Sequence, residues 1–309
     1  MSGSKPKVAD LPSVMRTRGW AGYALLDSGN GRKLERYGRF TVVRPEPQCL
    51  WSPALPASAW AAADAVFDPA DDEDAGRWKL KGQAAALGDG AAWPLSWGDV
   101  KFHGRFTSFR HLAFFPEQAA NWAWLDTAVR GAKAAEGPPK VLNLFGYTGV
   151  ASLVMAAAGA AVTHVDASKR AVAWARENAE LSGLAERPIR WITEDARKYV
   201  QREVRRGSTY EGIILDPPKY GRGPGGEVWR LFEDLPELAG LCAQLLAPGA
   251  SFLVLNAYAE RISGAALSGL LADKLAGRGG RIEWGELALS QEDGEREIGM
   301  SFFARWQAP

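Results

Sequence analysis

Cysteine is scarce in this chain: 309 residues hold two, Cys49 and Cys242, far apart and in unlike surroundings. That excludes a disulfide scaffold and a cysteine zinc cluster, and it fits a reducing cytosol. The three histidines, His103, His111 and His164, are scattered, so no metal site is expected. An excess of one charge is also lacking: the formal net charge is +1, so any nucleic-acid contact must come from a local basic patch. The alanine-rich stretches are too short and interrupted to span a bilayer, and the start, MSGSKPKVADLPS, has no apolar signal core. A cytoplasmic protein without membrane contact is expected. Neither the GxGxxG dinucleotide fingerprint nor the GK[ST] of a phosphate-binding loop occurs at a strand-to-helix turn. No internal repeat is visible, and the sequence does not indicate an oligomeric state.

What is present is enough apolar residue, 47%, for a sizeable core in one large domain or two. Two textures follow one another. Residues 1–112 are rich in Trp, Gly and Pro, with short apolar runs such as Phe40–Val43, a turn at Gly29-Asn30-Gly31, an acidic loop from Asp68 to Asp74, and further strands at Lys79–Gly82 and Gly98–Phe109. This half reads as a small β-rich accessory domain for substrate recognition. From 113 to 309 the pattern alternates. A helix over Glu117–Lys133 precedes strands at Val141–Phe145, Val162–Asp166, Ile189–Thr193, Gly212–Leu215 and Ser251–Leu255. Helices at Val150–Ala158, Lys169–Leu181, Ala196–Arg205, Val228–Leu246 and Ala265–Leu275 separate and follow them. The strands Ile282–Ala288 and Ile298–Trp306 close the series without a helix between them. The alternation predicts an α/β fold: a Rossmann-like, mostly parallel seven-stranded sheet ending in an antiparallel hairpin.

The strand ends carry the chemistry. Asn143-Leu144-Phe145-Gly146-Tyr147-Thr148-Gly149 is a glycine turn that opens a helix, where free N–H groups and close backbone approach suit a ligand, though it is also an ordinary turn type. Asp166, 20 residues after Gly146, ends the second strand; an acid there accepts from ribose hydroxyls, or else caps the next helix, as Ser168 does equally well. Glu194-Asp195-Ala196-Arg197 follows the third strand, placing a carboxylate by an adenine amine, capping a helix, or both. The fourth strand runs into Asp216-Pro217-Pro218-Lys219-Tyr220-Gly221-Arg222-Gly223. Proline cannot continue a central strand, so Asp216 starts a stiff loop at the carboxyl end of a strand, where open α/β sheets bind ligands.

LNLFGYTG, Asp166, EDA and DPPKYGRG, in this order, resemble the class I S-adenosylmethionine (SAM)-dependent methyltransferases, and within them the bacterial branch that methylates bases of large-subunit ribosomal RNA. The resemblance covers roughly the last two-thirds of the chain. It implies SAM as cofactor. It implies that Asn143, Phe145, Gly146, Tyr147, Thr148 and Gly149 wrap the methionine end, that Asp166 holds the ribose with Ala167 beside the adenine, and that Asp195 and Ala196 flank the adenine. Asp216, Pro217 and Pro218 then line the point of methyl transfer. Gln118, in the lead-in Phe114-Phe115-Pro116-Glu117-Gln118, reaches toward the cofactor.

In that setting Tyr220 stacks a base and Lys219 contacts phosphate or a base edge, or remains an exposed charge. Methylation of pyrimidine C5 needs a cysteine nucleophile. Relatives that do this carry it in the DPP-region loop or after the next strand; here those places hold Lys219 and Asn256, and Cys242 sits in an apolar helix. A base nitrogen of RNA is therefore the expected acceptor. The alternatives are a protein or small-molecule acceptor, or a SAM- or RNA-binding module without turnover. RNA contact is sought in Lys101–His111, where alternation puts Lys101, His103, Arg105, Thr107 and Phe109 on one face. A second basic run, Arg197, Lys198, Arg202, Arg205 and Arg206, reads as a solvated helix face. Gly223-Pro224-Gly225-Gly226 reads as a movable or disordered loop tip.

Overall fold

The computed structural model describes residues 4–70, 75–88, 90–132, 134, 136–258 and 261–309. Positions 71–74 of the expected acidic loop and Lys133 of the expected first helix lie outside the described residues. The chain forms two compact units. One holds residues 1–15, 120–287 and 300–309; the other holds 16–119 and 288–299.

The larger unit is built on alternating strands and helices. We label them α1 (Ala119–Gly131), β1 (Lys140–Leu144), α2 (Val150–Ala157), β2 (Ala161–Asp166), α3 (Lys169–Leu181), β3 (Ile189–Thr193), α4 (Ala196–Arg206), β4 (Gly212–Leu215), α5 (Leu231–Leu245), β5 (Phe252–Ala257), α6 (Gly264–Lys274), β6 (Arg281–Ser290) and β7 (Glu297–Gln307). The sheet order is β6-β7-β5-β4-β1-β2-β3. β3, β2, β1, β4 and β5 are parallel, and β7 returns antiparallel to β5. Two short strands from the start of the chain extend the β6 edge: Lys7–Val8, parallel to it, and Ser13–Thr17. At the second of these, backbone contact is so close that a methyl group on Gly285 would lie 1.8 Å from the Ser13 carbonyl oxygen.

β4 and β5 are buried throughout, and apolar except for Asn256, because both faces are covered. On one face α4, α5 and α6 pack Tyr199, Leu235, Leu238 and Leu271 over Leu142, Ile213, Leu215 and Leu253. On the other, α1 and α2 pack Leu125, Val129 and Met155 over Val141, Ile214 and Val254. Helix starts are capped by Ser168, Asp195 and Ser263, each side chain accepting an N–H three residues on.

The smaller unit carries a five-stranded sheet in chain order: Tyr23–Gly29, Arg32–Tyr37, Phe40–Pro45, Ala65–Pro69 and Gly76–Leu80. A separate hairpin, Ala92–Trp97 with Val100–Arg105, accompanies it. The turn at Asn30-Gly31 has positive φ at both residues (51° and 70°), the geometry that matches strand twist in a tight hairpin. The expected strand at Lys79–Gly82 is displaced: pairing ends at Leu80, and Gly82 opens a short helix. The interior mixes aromatic rings with buried charge. Phe40, Trp93 and Phe106 meet at 4.7–6.0 Å between ring centres. Glu35 is fully buried and accepts two bonds of 2.7 Å from Arg44 and one of 2.9 Å from the Tyr23 hydroxyl. Burial works to raise the Glu35 carboxyl, but Arg44 and Lys33 bring it below its ordinary value.

Candidate active site

Four strand ends of the larger unit converge on one edge of the sheet, around the point between β1 and β4 where the strand order reverses. After β1 the chain turns through Phe145–Gly149 into α2. The backbone is left-handed at Phe145, Tyr147 and Gly149, with φ of 58°, 47° and 82°. Each of the two non-glycine residues costs about 1–3 kcal/mol there and persists only where its surroundings over-determine it. One cause lies directly beneath. His164 of β2 occupies the space where a Gly146 side chain would go: a methyl group would sit 2.4 Å from its Cε1. At Gly149 a methyl group would come within 2.8 Å of the Ala175 Cβ. Both glycines therefore let the backbone lie close to what is under it.

His164 is fully buried, with Nδ1 3.0 Å from Ser152 Oγ, and Asn143 Nδ2 donates to the same oxygen at 2.8 Å. Burial pushes the imidazole down to about 3, so the ring is neutral and the serine hydroxyl can donate to it. The Asn143 side chain thus braces the floor of the turn. Thr148 is buried, and its carbonyl accepts from Asn178 at 2.9 Å.

Asp166, at the end of β2, accepts the N–H of Tyr147 at 2.8 Å through one oxygen and the N–H of Ser168 at 2.8 Å through the other. The cap of α3 falls to Ser168, whose Oγ accepts from Ala171 at 3.2 Å. Asp166 is left as a partly buried carboxylate at the mouth of the glycine turn, with Ala167 beside it. Burial raises its carboxyl above the ordinary value, against the pull of the two N–H groups. Asp195 caps α4 through Lys198 N at 3.0 Å, and Ala196 beside it is buried.

Past β4, Asp216 is half-buried and Pro217 buried, while Pro218, Lys219 and Tyr220 are exposed. The loop then forms a hairpin, Tyr220–Arg222 with Val228–Arg230. The helix expected from Val228 starts at Leu231 instead, because Val228–Arg230 is the return strand. The glycine-rich tip is a closed turn: Gly223 N donates to Glu227 O at 2.9 Å and Gly226 N to Gly223 O at 3.1 Å. Trp229 had no sequence motif to mark it, yet it joins two loops. Its Nε1 donates to the Pro218 carbonyl at 2.7 Å, and its ring packs on Phe145 at 5.0 Å. A lone tryptophan in a polar, glycine-rich stretch was the available signal.

The basic run on α4 is largely neutralised by carboxylates: Arg197 with Asp234, Lys198 with Glu227, Arg202 with Glu194 and Arg206 with Glu203. Gln118 is buried in the turn Pro116–Gln118 of the β-rich unit.

The larger unit's residues fit an adenosyl sulfonium ligand. A carboxylate suited to a ribose diol stands at the mouth of a turn with no room for side chains at Gly146 and Gly149, and two alanines and a helix-capping carboxylate follow at the neighbouring strand ends. Over nearly its whole length the chain is similar to a SAM-dependent methyltransferase from Agrobacterium tumefaciens: 49% identity, TM-score 0.92, covering 99% of this chain and 96% of that one. The chain belongs to the SAM-dependent methyltransferases. SAM is accordingly its cofactor. A Streptococcus mutans protein assigned to the same class shares the fold at 17% identity, with a TM-score of 0.67 over 93% of this chain. Among curated proteins, ribosomal RNA large subunit methyltransferase I of Aeromonas hydrophila is 36% identical over 131 residues, 41% of this chain and 32% of that protein. Ribosomal RNA large subunit methyltransferase K/L of Shewanella frigidimarina is 35% identical over 118 residues, 38% of this chain and 16% of that protein. The methyltransferase therefore spans about a third or less of these curated relatives. No family model matches it.

Proposed function

We propose that this methyltransferase transfers the SAM methyl group to a base nitrogen of RNA, with ribosomal RNA as the first candidate. The similarity to two kinds of ribosomal RNA methyltransferase carries the substrate class. The nitrogen is argued from the thiols. Both cysteines are fully buried; burial pushes Cys49 up to about 11 and raises Cys242 further, so neither offers the thiolate that pyrimidine C5 chemistry needs.

SAM brings a methyl group already activated on a sulfonium, which leaves the protein the task of position and field. Asn143, Phe145, Gly146, Tyr147, Thr148 and Gly149 form the methionine-side cradle, Asp166 and Ala167 the ribose and inner adenine contacts, and Asp195 and Ala196 the outer adenine contacts. Asp216 accepts a hydrogen bond from the acceptor base or balances positive charge developing on its ring. Pro217 and Pro218 fix the loop, Tyr220 offers a ring for stacking and Lys219 a cation for phosphate. Residues 16–119 with 288–299 serve as the accessory unit for substrate recognition.

The deciding experiment is transfer of labelled methyl from SAM into ribosomal subunits, naked RNA, protein and small metabolites taken from cells lacking this protein. Label in RNA, located on a nitrogen by nucleoside mass analysis, supports the proposal. Label confined to protein or metabolites, or on a pyrimidine C5, overturns it.

A further inference from the structure

On the α1 face of the larger unit, a cleft of about 240 Å³ opens beside β6 and β7. It is lined by Trp124 of α1, Arg281 and Glu283 of β6, and Arg305 and Gln307 of β7. The register pairs Arg305 with Val254, and Gln307 with Phe252, the first residue of β5. The cleft therefore lies toward the amino end of β5, away from the carboxyl ends that carry the cofactor motifs. Its deepest group is Arg305, whose side chain is 3% exposed. The guanidinium carbon lies 4.7 Å from the ring centres of both Trp124 and Phe303. Nη2 donates to Glu283 Oε2 at 2.7 Å. Nε and Nη1 are buried and have no hydrogen-bond partner among the described residues.

An unmet buried donor is costly, more so on a charged group, and calls for a water or an ion. Burial pulls the Arg305 guanidinium below its ordinary value, although Glu283 acts against it. An apolar side chain would fill the same space without that cost. The charge balance of the cleft says what satisfies the donors. Burial works to raise the Glu283 carboxyl, but Arg305, Ser13 and Arg281 bring it below its ordinary value, so it is ionised. Two guanidinium groups thus face one carboxylate, and the lining is net positive. Arg281 and Gln307 stand exposed at the rim. Guanidinium forks match the paired oxygens of an oxyanion. The volume is that of several waters, at about 30 Å³ each, which leaves room for one phosphate-sized group. Arg305 is reached past Trp124, whose half-buried ring covers it.

We propose that this cleft binds a phosphate-sized oxyanion, received by Arg281 and Gln307 and held by Arg305. The site does not depend on which acceptor takes the methyl group. Its phosphate is either a free anion or part of a nucleic acid. The test is calorimetry on the full chain, titrated with inorganic phosphate and with sulfate at constant ionic strength. Wild type is compared with Arg281→Gln and Arg305→Lys, and SAM affinity reports that each variant is folded. Phosphate should bind wild type with a Kd of about 1 mM or tighter and raise its unfolding midpoint. Arg281→Gln, an exposed change, should weaken phosphate about tenfold with SAM affinity unchanged. Arg305→Lys keeps the charge but loses the fork, and should weaken phosphate at least as much. If that variant does not fold, Arg281→Gln decides alone. The proposal fails if neither anion gives saturable heat, or if Arg281→Gln binds phosphate as tightly as wild type; water alone then meets the Arg305 donors. Competition identifies the source, and both of its outcomes support the site. Ribosomal RNA displaced by phosphate, and bound more weakly by Arg281→Gln, marks a nucleic-acid phosphate. Phosphate binding that leaves RNA affinity unchanged marks a free anion.

Discussion

At the scale of single residues, the site depends on a partly buried carboxylate and a fully buried imidazole, whose shifts respond to acid in opposite directions. Asp166 ties the glycine turn to the start of α3 and presents its carboxylate at the mouth of the cradle. Asp166→Ala should weaken SAM binding by tenfold or more, with circular dichroism and unfolding midpoint little changed; unaltered affinity by calorimetry would remove Asp166 from the cofactor site. His164 is different. Its ring titrates near 6.5 when unfolded and near 3 when folded. Between those values the unfolded chain holds one more proton, so His164 draws stability away as pH falls below 6.5, at about 1.4 kcal/mol per pH unit, and contributes no such slope above it. In urea unfolding, the stability advantage of wild type over His164→Gln should therefore shrink from pH 7.5 to pH 5. A constant difference would mean that the buried imidazole is not neutral. Asp166 was legible in the sequence because an acid after an apolar run, a fixed distance from a glycine turn, has few other reasons to be there. His164 was not, because no spacing reveals which strand residue lies under a turn formed by another strand.

At the scale of elements, the hairpin after β4 decides how stiff the transfer loop is. Its link to the glycine turn is Trp229. Trp229→Phe keeps a ring against Phe145 but removes the N–H to the Pro218 carbonyl, a bond worth about 1 kcal/mol. Turnover should fall roughly fivefold, with SAM affinity within twofold. An equal fall in both would place Trp229 with the cofactor cradle and not with the loop. The sequence pattern reads its second strand, Val228–Arg230, as the start of α5, since three residues do not distinguish a short strand from a first helical turn. The alternation of β1 to β5 with helices was legible because strands covered on both faces are continuous apolar runs. In the β-rich unit the same reasoning fails on Arg32–Tyr37. Lys33 and Glu35 are buried there, so charged residues occupy the core positions and the hydrophobic pattern disappears.

At the scale of the whole chain, stability is divided between a sheet fed by apolar burial and a smaller unit fed partly by buried charge. Arg44→Leu would leave Glu35 charged and without its main counter-ion, and should cost about 3–5 kcal/mol in urea unfolding. Arg44→Leu/Glu35→Leu should recover much of that loss. No recovery would mean that Arg44 acts through packing on Tyr37 and not through its charge. The chain passes between the units after residues 15, 119, 287 and 299. β7 lies between β5 and β6, and Arg296 reaches back to Asp27 at 3.3 Å. A nascent chain leaves the ribosome N-terminal end first, at about 5–20 residues per second. Until Glu297–Gln307 has emerged, β6 has no strand to join it to β5 and the β-rich unit lacks its last segment. Protease resistance of stalled nascent chains should therefore arise in one late step, not one domain at a time.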